Sequence, residues 1–306
     1  MTTVAPSLHR PVAGILLRLA AAAALAVMFA LVKLTASRGV HIAETLFYRQ
    51  AFALPFVLGW AAFGPGLASL KTQKLGVHAS RMVLGLGAMT LNFLGMILLP
   101  LAEATVIGFA VPLFATLLAA IFLGEVIGRY RITAILVGFV GVLVVMRPDS
   151  ATLHSTGALI ALAGAMATAS VTVVIRRLGA TEAATTTVFW FTALSMIPLS
   201  VLMLFFAQVH DPLTWALLAG IGVTGGIAQL LLTGALRLAP VAVVLPMDYT
   251  GLIWASLLGW LLFAALPVPA TLFGAPIIIA SGLAILWREH RLGKVSRAAA
   301  SERVAV

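Results

Sequence analysis

Between residues 13 and 287 the chain is a succession of ten apolar segments, near 13–34, 43–64, 77–100, 102–124, 132–147, 156–175, 184–207, 213–236, 240–264 and 270–287. Short polar, Gly- or Pro-containing connections part them. A helix of about 20 residues, rising about 1.5 Å per residue, crosses the roughly 30 Å of hydrocarbon in a bilayer. Most segments reach that length, with the fifth, sixth and tenth at the short end. Runs such as Thr116 to Phe122 are apolar on every face, whereas a membrane β-strand alternates apolar and polar residues. The fold expected is therefore an all-α integral membrane protein with ten transmembrane helices.

Composition agrees with that reading and removes other classes. Charged residues make up 9% of the chain and hydrophobic ones 62%, with a mean hydropathy of +1.14; a soluble domain carries about 25% charged residues to keep its surface wet. The lipid bilayer is the expected partner of most of the surface. The net charge of +10 does not point to nucleic acid, because the basic residues lie between apolar runs and form no continuous phosphate-binding stripe. There is no cysteine, so disulfides and thiolate metal sites are excluded. The six histidines, His41, His78 and His154 among them, show no paired metal spacing. No cofactor and no metal are expected. The first apolar run exceeds a secretory h-region of about 7–15 residues and is read as a retained first helix.

Lys and Arg set the expected orientation, since cationic loops resist translocation. With the N-terminus cytoplasmic, that side collects Arg10, the group Lys71, Lys74 and Arg81, then Arg129 and Arg131, Arg176 and Arg177, Arg237, and the basic residues from Arg288 onward. The far side keeps Lys33, Arg38 and Arg147, and Arg18 and Arg49 fall inside helices. Both termini are thus expected in the cytoplasm and the protein in the cytoplasmic (inner) membrane.

Ten helices divide into two sets of five, and an odd number per set turns the second set upside down relative to the first. The expected organisation is a first five-helix unit over residues 1–150, an inverted second unit over 151–290, and a basic tail over 291–306. Shifting the first half by 137 residues sets Gly85 on Gly222, Asn92 on Gln229, Leu101 on Leu238 and Ala102 on Ala239. Inverted repeats around a central cavity are a carrier architecture, with the site at the repeat interface near the midplane.

Ala102 to Pro148 resembles the fourth and fifth helices of an EamA-type domain of the drug/metabolite transporter superfamily. The resembling features are Pro112 within a helix, Gly124-Glu125 at a helix end, and Gly138 to Gly141 running to Arg147-Pro148. Phe29 to Leu58 is similar to the first two helices of that family, including the position of Arg49. The second half departs from the pattern, with Leu262-Phe263 where a second Gly-Glu is usual and Asp248-Tyr249 where proline is common. The resemblance implies export of amino acids, other small metabolites or drugs, and is closest to the exporters of aromatic and neutral amino acids.

Several residues could carry the chemistry. A charge in hydrocarbon costs at least about 2.5 kcal/mol, so a mid-span ionisable group faces the bundle interior or a watery cavity. Asp248, about eight residues into the ninth segment, either binds a substrate ammonium or a proton, or is a structural carboxylate bonded to a neighbouring helix. Pro112 and Pro246 interrupt the fourth and ninth segments at comparable depth, and each proline frees the carbonyl four residues upstream. Paired interruptions point to a carrier site, although ordinary kinks are common in membrane helices. Asn92 and Gln229 can each donate and accept, which suits a zwitterion as well as it suits interhelical bonding. Phe93, Phe109, Tyr249 and Trp254 offer ring faces for an apolar or aromatic substrate, or serve as packing. Arg49 is placed to snorkel to the outer interface. Lys33, Arg38 and Glu44, close in sequence, are expected to cluster at the mouth, and Glu125 to organise a helix end with Arg129 or Arg131.

No phosphate-binding loop of the G-x-x-x-x-G-K-[ST] type occurs, so drive from a gradient of substrate or of protons is expected. The leading function is a secondary transporter that exports amino acids or related metabolites, as a monomer or weak dimer. The alternatives are a multidrug or other metabolite exporter of the same fold and, in a different class, a membrane-embedded enzyme. The latter lacks the H-E-x-x-H and G-x-S-x-G motifs. A sensor is disfavoured by loops too short to hold a signalling domain.

Overall fold

The computed structural model describes residues 10–64, 66–123, 128–147, 152–179, 182–239 and 241–304. The helices are α1 (Pro11–Ser37), α2 (Ile42–Phe63), α3 (Leu75–Leu98), α4 (Leu101–Gly108), α5 (Val111–Leu123), α6 (Arg129–Met146), α7 (Thr152–Gly179), α8 (Ala184–Phe206), α9 (Pro212–Leu238), α10 (Val241–Val244), α11 (Gly251–Phe263) and α12 (Pro269–Val304). Among the described residues nine helical stretches are long and apolar enough to cross a membrane, with Leu101–Phe122 taken through its break. The tenth crossing is the interrupted run α10, a 3-10 segment over Leu245–Thr250, and α11.

The starts and stops follow local chemistry. Pro11 and Pro212 begin helices where no amide bond is lost. The Asp211 carboxylate accepts from the amides of Leu213 and Thr214 and caps α9, and His41 Nδ1 accepts from the Ala43 amide at the start of α2. The α4–α5 break lies at Phe109 and Ala110, and Pro112 sits in the first turn of α5. Pro246 likewise opens the 3-10 segment. Neither proline kinks a continuous helix; each stands where a new helical segment begins, the position at which its missing N–H costs nothing.

Helix pairing carries the inversion. The first span α1 lies on the eighth, α9, and the third span α3 lies on the sixth, α7. Exchanging the two halves turns one pair into the other. The contact of α1 with α11 is matched in the same way by that of α5 with α7, while α2 on α8 and α6 on α12 are pairs of equivalent spans. Ten crossings thus form two inverted five-helix repeats around a central cavity.

Small residues let these backbones approach, as membrane interfaces require. A Cβ on Gly95 would lie 3.0 Å from the Ala161 methyl, and one on Gly164 would lie 3.1 Å from the Asn92 amide nitrogen, so α3 and α7 meet through glycine on both sides. A Cβ on Gly222 would overlap Phe52 of α2 and stand 2.9 Å from the Tyr48 carbonyl oxygen.

Three expectations about charge need correction. Arg81, expected among the cations of the cytoplasmic side, lies inside α3 and is buried. Arg49 does not snorkel outward, because its guanidinium turns inward and its Nε is buried. Lys33, Arg38 and Glu44 do not cluster. Lys33 Nζ donates to the carbonyls of Met96, Ile97 and Leu99 at the end of α3, Arg38 pairs with Asp211, and Glu44 meets His210. Each cation found a set of acceptors distant in sequence instead of its neighbour. Gly124 and Glu125 lie outside the described residues.

Candidate functional site

Two adjoining cavities occupy the space between the repeats. The first, about 260 Å³, is walled by α1, α2, α3, α7, α8 and α9, with Arg49, Arg81, Asn92, Phe93, Thr168, Thr192 and Gln229 facing it. The second, about 330 Å³, is walled by Arg18, Thr105, Gly108, Phe109, Leu232, Asp248 and Gly251 among others. Leu25, Phe29, Asn92 and Thr168 border both. Pockets that hold small molecules run from about 300 to 1,000 Å³; the second chamber reaches that range and the first falls just below it.

The second cavity is bounded by both broken spans. Gly108, Phe109 and Val111 come from the α4–α5 break, and Asp248 and Gly251 from the 3-10 segment and the start of α11. Asp248 is not an open ammonium receptor. Arg18 Nε and Nη2 donate to its Oδ1 and Oδ2, both at 2.5 Å, in a bidentate fork. The Arg18 side chain is 9% exposed and the Asp248 side chain 40% exposed, so the pair presents its carboxylate to the cavity and buries its guanidinium. Tyr249 stands behind the wall, edge-on to Phe109 with ring centroids 5.0 Å apart.

Asn92 lies at the partition. Its amide nitrogen donates to Thr168 Oγ1 at 2.9 Å and to the Ala88 carbonyl at 2.7 Å. Phe93 is buried, packs edge-on to Phe29 at 6.2 Å and borders the first cavity. Gln229 borders the first cavity from α9, across from Asn92 on α3. Of the nine residues nominated from sequence, Asn92, Phe93, Phe109, Gln229 and Asp248 border a cavity, and Pro112 and Pro246 open the segments that follow the breaks. Trp254 borders neither cavity and is 38% exposed.

Sequence reasoning did not nominate Arg18, Arg49, Arg81, Phe29 or Thr168. The available signal was that three arginines stand within apolar helices, each more than a turn from its end.

Ties between the halves stand at both ends of the bundle. At the end carrying the α1–α2 turn, Arg38 donates to Thr214 Oγ1 at 2.7 Å and to Asp211 Oδ2 at 2.9 Å. Buried Glu44 accepts from the Gln208 amide at 2.9 Å and lies 3.1 Å from His210 Nε2, and the His41 ring stacks on Phe206 at 3.8 Å. Hydrogen bonds from the Thr214 hydroxyl and from Arg38 hold the Asp211 carboxyl well below the usual carboxylate range. At the opposite end Thr186 donates to the Ser69 carbonyl at 2.6 Å, Trp190 Nε1 to the Leu70 carbonyl at 2.8 Å, and Thr72 to Glu182 at 2.8 Å.

Comparison with known proteins adds the family. The sequence profile of the EamA-like transporter family matches residues 12–147 and again residues 155–287. The pseudopaline exporter of Pseudomonas aeruginosa is 30% identical over 275 residues, covering 89% of this chain and 95% of its own. An S-adenosylmethionine uptake transporter of Rickettsia bellii is 29% identical, covering 82% of this chain and 86% of its own. A riboflavin transporter of Vibrio cholerae is 27% identical, covering 89% and 92%. A crystal structure superposes with a TM-score of 0.59 at 19% identity over 91% of this chain and 98% of that one, a likeness of fold.

Proposed function

As a transporter belonging to the EamA-like family, the chain is, we propose, a secondary carrier that exports an amino acid or a metabolite of similar size by alternating access. The observation that carries this reading is the pair of interrupted spans, α4–α5 and α10–α11, which border one cavity from the two repeats. Interrupted helices expose backbone groups only where protein or a watery cavity can satisfy them, and carriers place their sites at such breaks. In this proposal residues 1–150 and 151–290 are the moving units, followed by the tail 291–306. The ties at one end break while those at the other hold.

The named relatives carry pseudopaline, S-adenosylmethionine and riboflavin, and act in export and in uptake. What supports the narrower substrate class here is cavity size together with the mixed donors and acceptors of Asn92, Gln229 and Thr168. The proposed setting is the inner membrane with both termini cytoplasmic, coupled to a substrate or proton gradient.

Purified protein in proteoliposomes preloaded with an amino-acid mixture is expected to take up a labelled member by counterflow, saturably and with competition by its unlabelled form. Flux that rises linearly with concentration would assign a channel, and absence of counterflow for every amino acid would remove the substrate class.

A further inference from the structure

We infer that Arg49 and Arg81 form a binding site for an oxyanion, the carboxylate or phosphate group of the solute; this rests on the first cavity being part of the solute path. Arg49 reaches the cavity from α2 and Arg81 from α3. Arg81 is 9% exposed. Its Nε and Nη1 are buried without a hydrogen-bond partner, and so is Arg49 Nε. The one side-chain bond of Arg49 runs to Gln50 Oε1 at 2.5 Å. No Asp or Glu stands among the described residues bordering the cavity. Arginine stays protonated at any physiological pH, so two cations that repel one another face a cavity with no anion to offset them.

The surroundings hold these groups in place. Arg81 sits over the Phe191 ring, its guanidinium carbon 3.9 Å from the centroid, and a Cβ on Gly85 would come within 2.5 Å of Arg81 Nη1 and 2.8 Å of Phe191. On the facing helix α9, a Cβ on Gly225 would stand 3.4 Å from Arg49 Nε. Glycine at position 85 leaves the room that the Arg81 guanidinium occupies. The Phe191 ring covers one side of the Arg81 guanidinium, and its unpartnered N–H groups supply the fork with which arginine binds a planar oxyanion. Arg18 offers the contrast within the same protein: its fork is already filled by Asp248.

The test follows thermal unfolding of the full chain in phosphatidylcholine nanodiscs, titrated with sodium succinate or sodium phosphate against sodium chloride at equal ionic strength. At least one oxyanion is expected to raise the midpoint saturably above the chloride curve. Arg49→Gln and Arg81→Gln should each lose most of that rise, whereas Lys71→Gln on the exposed connection keeps it. Without oxyanion, Arg81→Gln is expected to unfold no earlier than the parent, since it removes an uncompensated charge. A second series containing phosphatidylglycerol separates the sources: a rise from the lipid alone, lost in Arg81→Gln, assigns the headgroup phosphate as occupant. The inference is overturned if neither the oxyanions nor the lipid exceeds chloride, if the Gln variants respond like the parent, or if both fail to fold and so prove to be structural arginines. Oxyanion binding with no counterflow of any solute would remove the carrier and leave the anion site. Counterflow that survives both Gln substitutions, with no oxyanion effect, would do the reverse.

Discussion

The Arg18–Asp248 fork allows a quantitative test of what links the first and ninth spans. Each of its hydrogen bonds joins two charged groups, a class worth about 1.5–3 kcal/mol, and breaking a fully buried ion pair costs about 3–5 kcal/mol. Burial is lopsided: the Arg18 side chain is 9% exposed and the Asp248 side chain 40%. Water therefore screens part of the carboxylate, and the upper figures must be discounted. Asp248→Asn leaves the guanidinium buried with a neutral partner that has one acceptor oxygen in place of two, and is expected to cost about 2–3 kcal/mol. Arg18→Gln leaves a carboxylate that water can reach, and is expected to cost about 1–2 kcal/mol. The double variant, with no charge left to strand, should be less destabilised than the two singles added, by a coupling of about 1–2 kcal/mol.

At about 2–4 °C per kcal/mol for domains of 150–250 residues, Asp248→Asn should lower the thermal midpoint in detergent by on the order of 5 °C, and Arg18→Gln by roughly half as much. Strict additivity of the two singles, or a larger loss for Arg18→Gln than for Asp248→Asn, would refute the lopsided-burial argument. Counterflow measured on the same preparations separates stability from function. If the fork opens during the transport cycle, the double variant, though less destabilised than the two singles added, loses turnover beyond what its lowered midpoint explains.

Three further outcomes can be checked directly. Gly222→Ala places a methyl against Phe52 and the Tyr48 carbonyl and is expected to destabilise by about 1–3 kcal/mol through overpacking, whereas Gly87→Ala, with nothing within 4 Å, should stabilise α3 by up to about 1 kcal/mol; paired thermal scans decide. Because Asp211 is held below the ordinary carboxylate range, its contribution to stability should be complete above about pH 4, the unfolded value. That contribution should fade only as the pH drops toward the depressed folded value, so the midpoint gap between the parent and Asp211→Asn should stay constant from pH 7 to about pH 4 and close below. The chain has no cysteine, so single-cysteine variants at exposed Gln73 and Gln208 can be labelled in intact cells without background. With both termini cytoplasmic, Gln208→Cys should react with an impermeant maleimide and Gln73→Cys only after permeabilisation.

Much of the architecture was legible because a bilayer leaves few alternatives: an apolar run of about 20 residues must be a helix. The boundaries agreed closely where a cap residue marks them, as at Pro212 after Asp211. The two breaks were legible through Pro112 and Pro246, although proline marks where the second segment starts and not where a continuous helix bends. The inward faces were not legible. In segments apolar on every side, such as α5 and α11, no polar stripe tells lipid from core. Arg49 reads equally as a snorkelling cation and as a cavity wall until α9 is placed against it. Partners such as Glu44 and His210 lie 166 residues apart, and nothing local to either announces the other.

The placement of charge across the two cavities also bears on what the path can accept. The Arg18–Asp248 fork is internally neutral and turns its carboxylate toward the second cavity. The first cavity holds two cations with no bordering acid. Asn92 and Thr168, joined by a 2.9 Å hydrogen bond, form the partition. A solute lying across that partition meets positive potential at one end and, at the other, a carboxylate edge beside Phe109. A solute with its carboxylate toward Arg81 fits the sign of the first chamber, whereas a dication would meet repulsion there. Desolvating a charge without an opposite partner is costly, so under the proposed solute path the first chamber would favour solutes that carry an oxyanion over cations even before shape is considered.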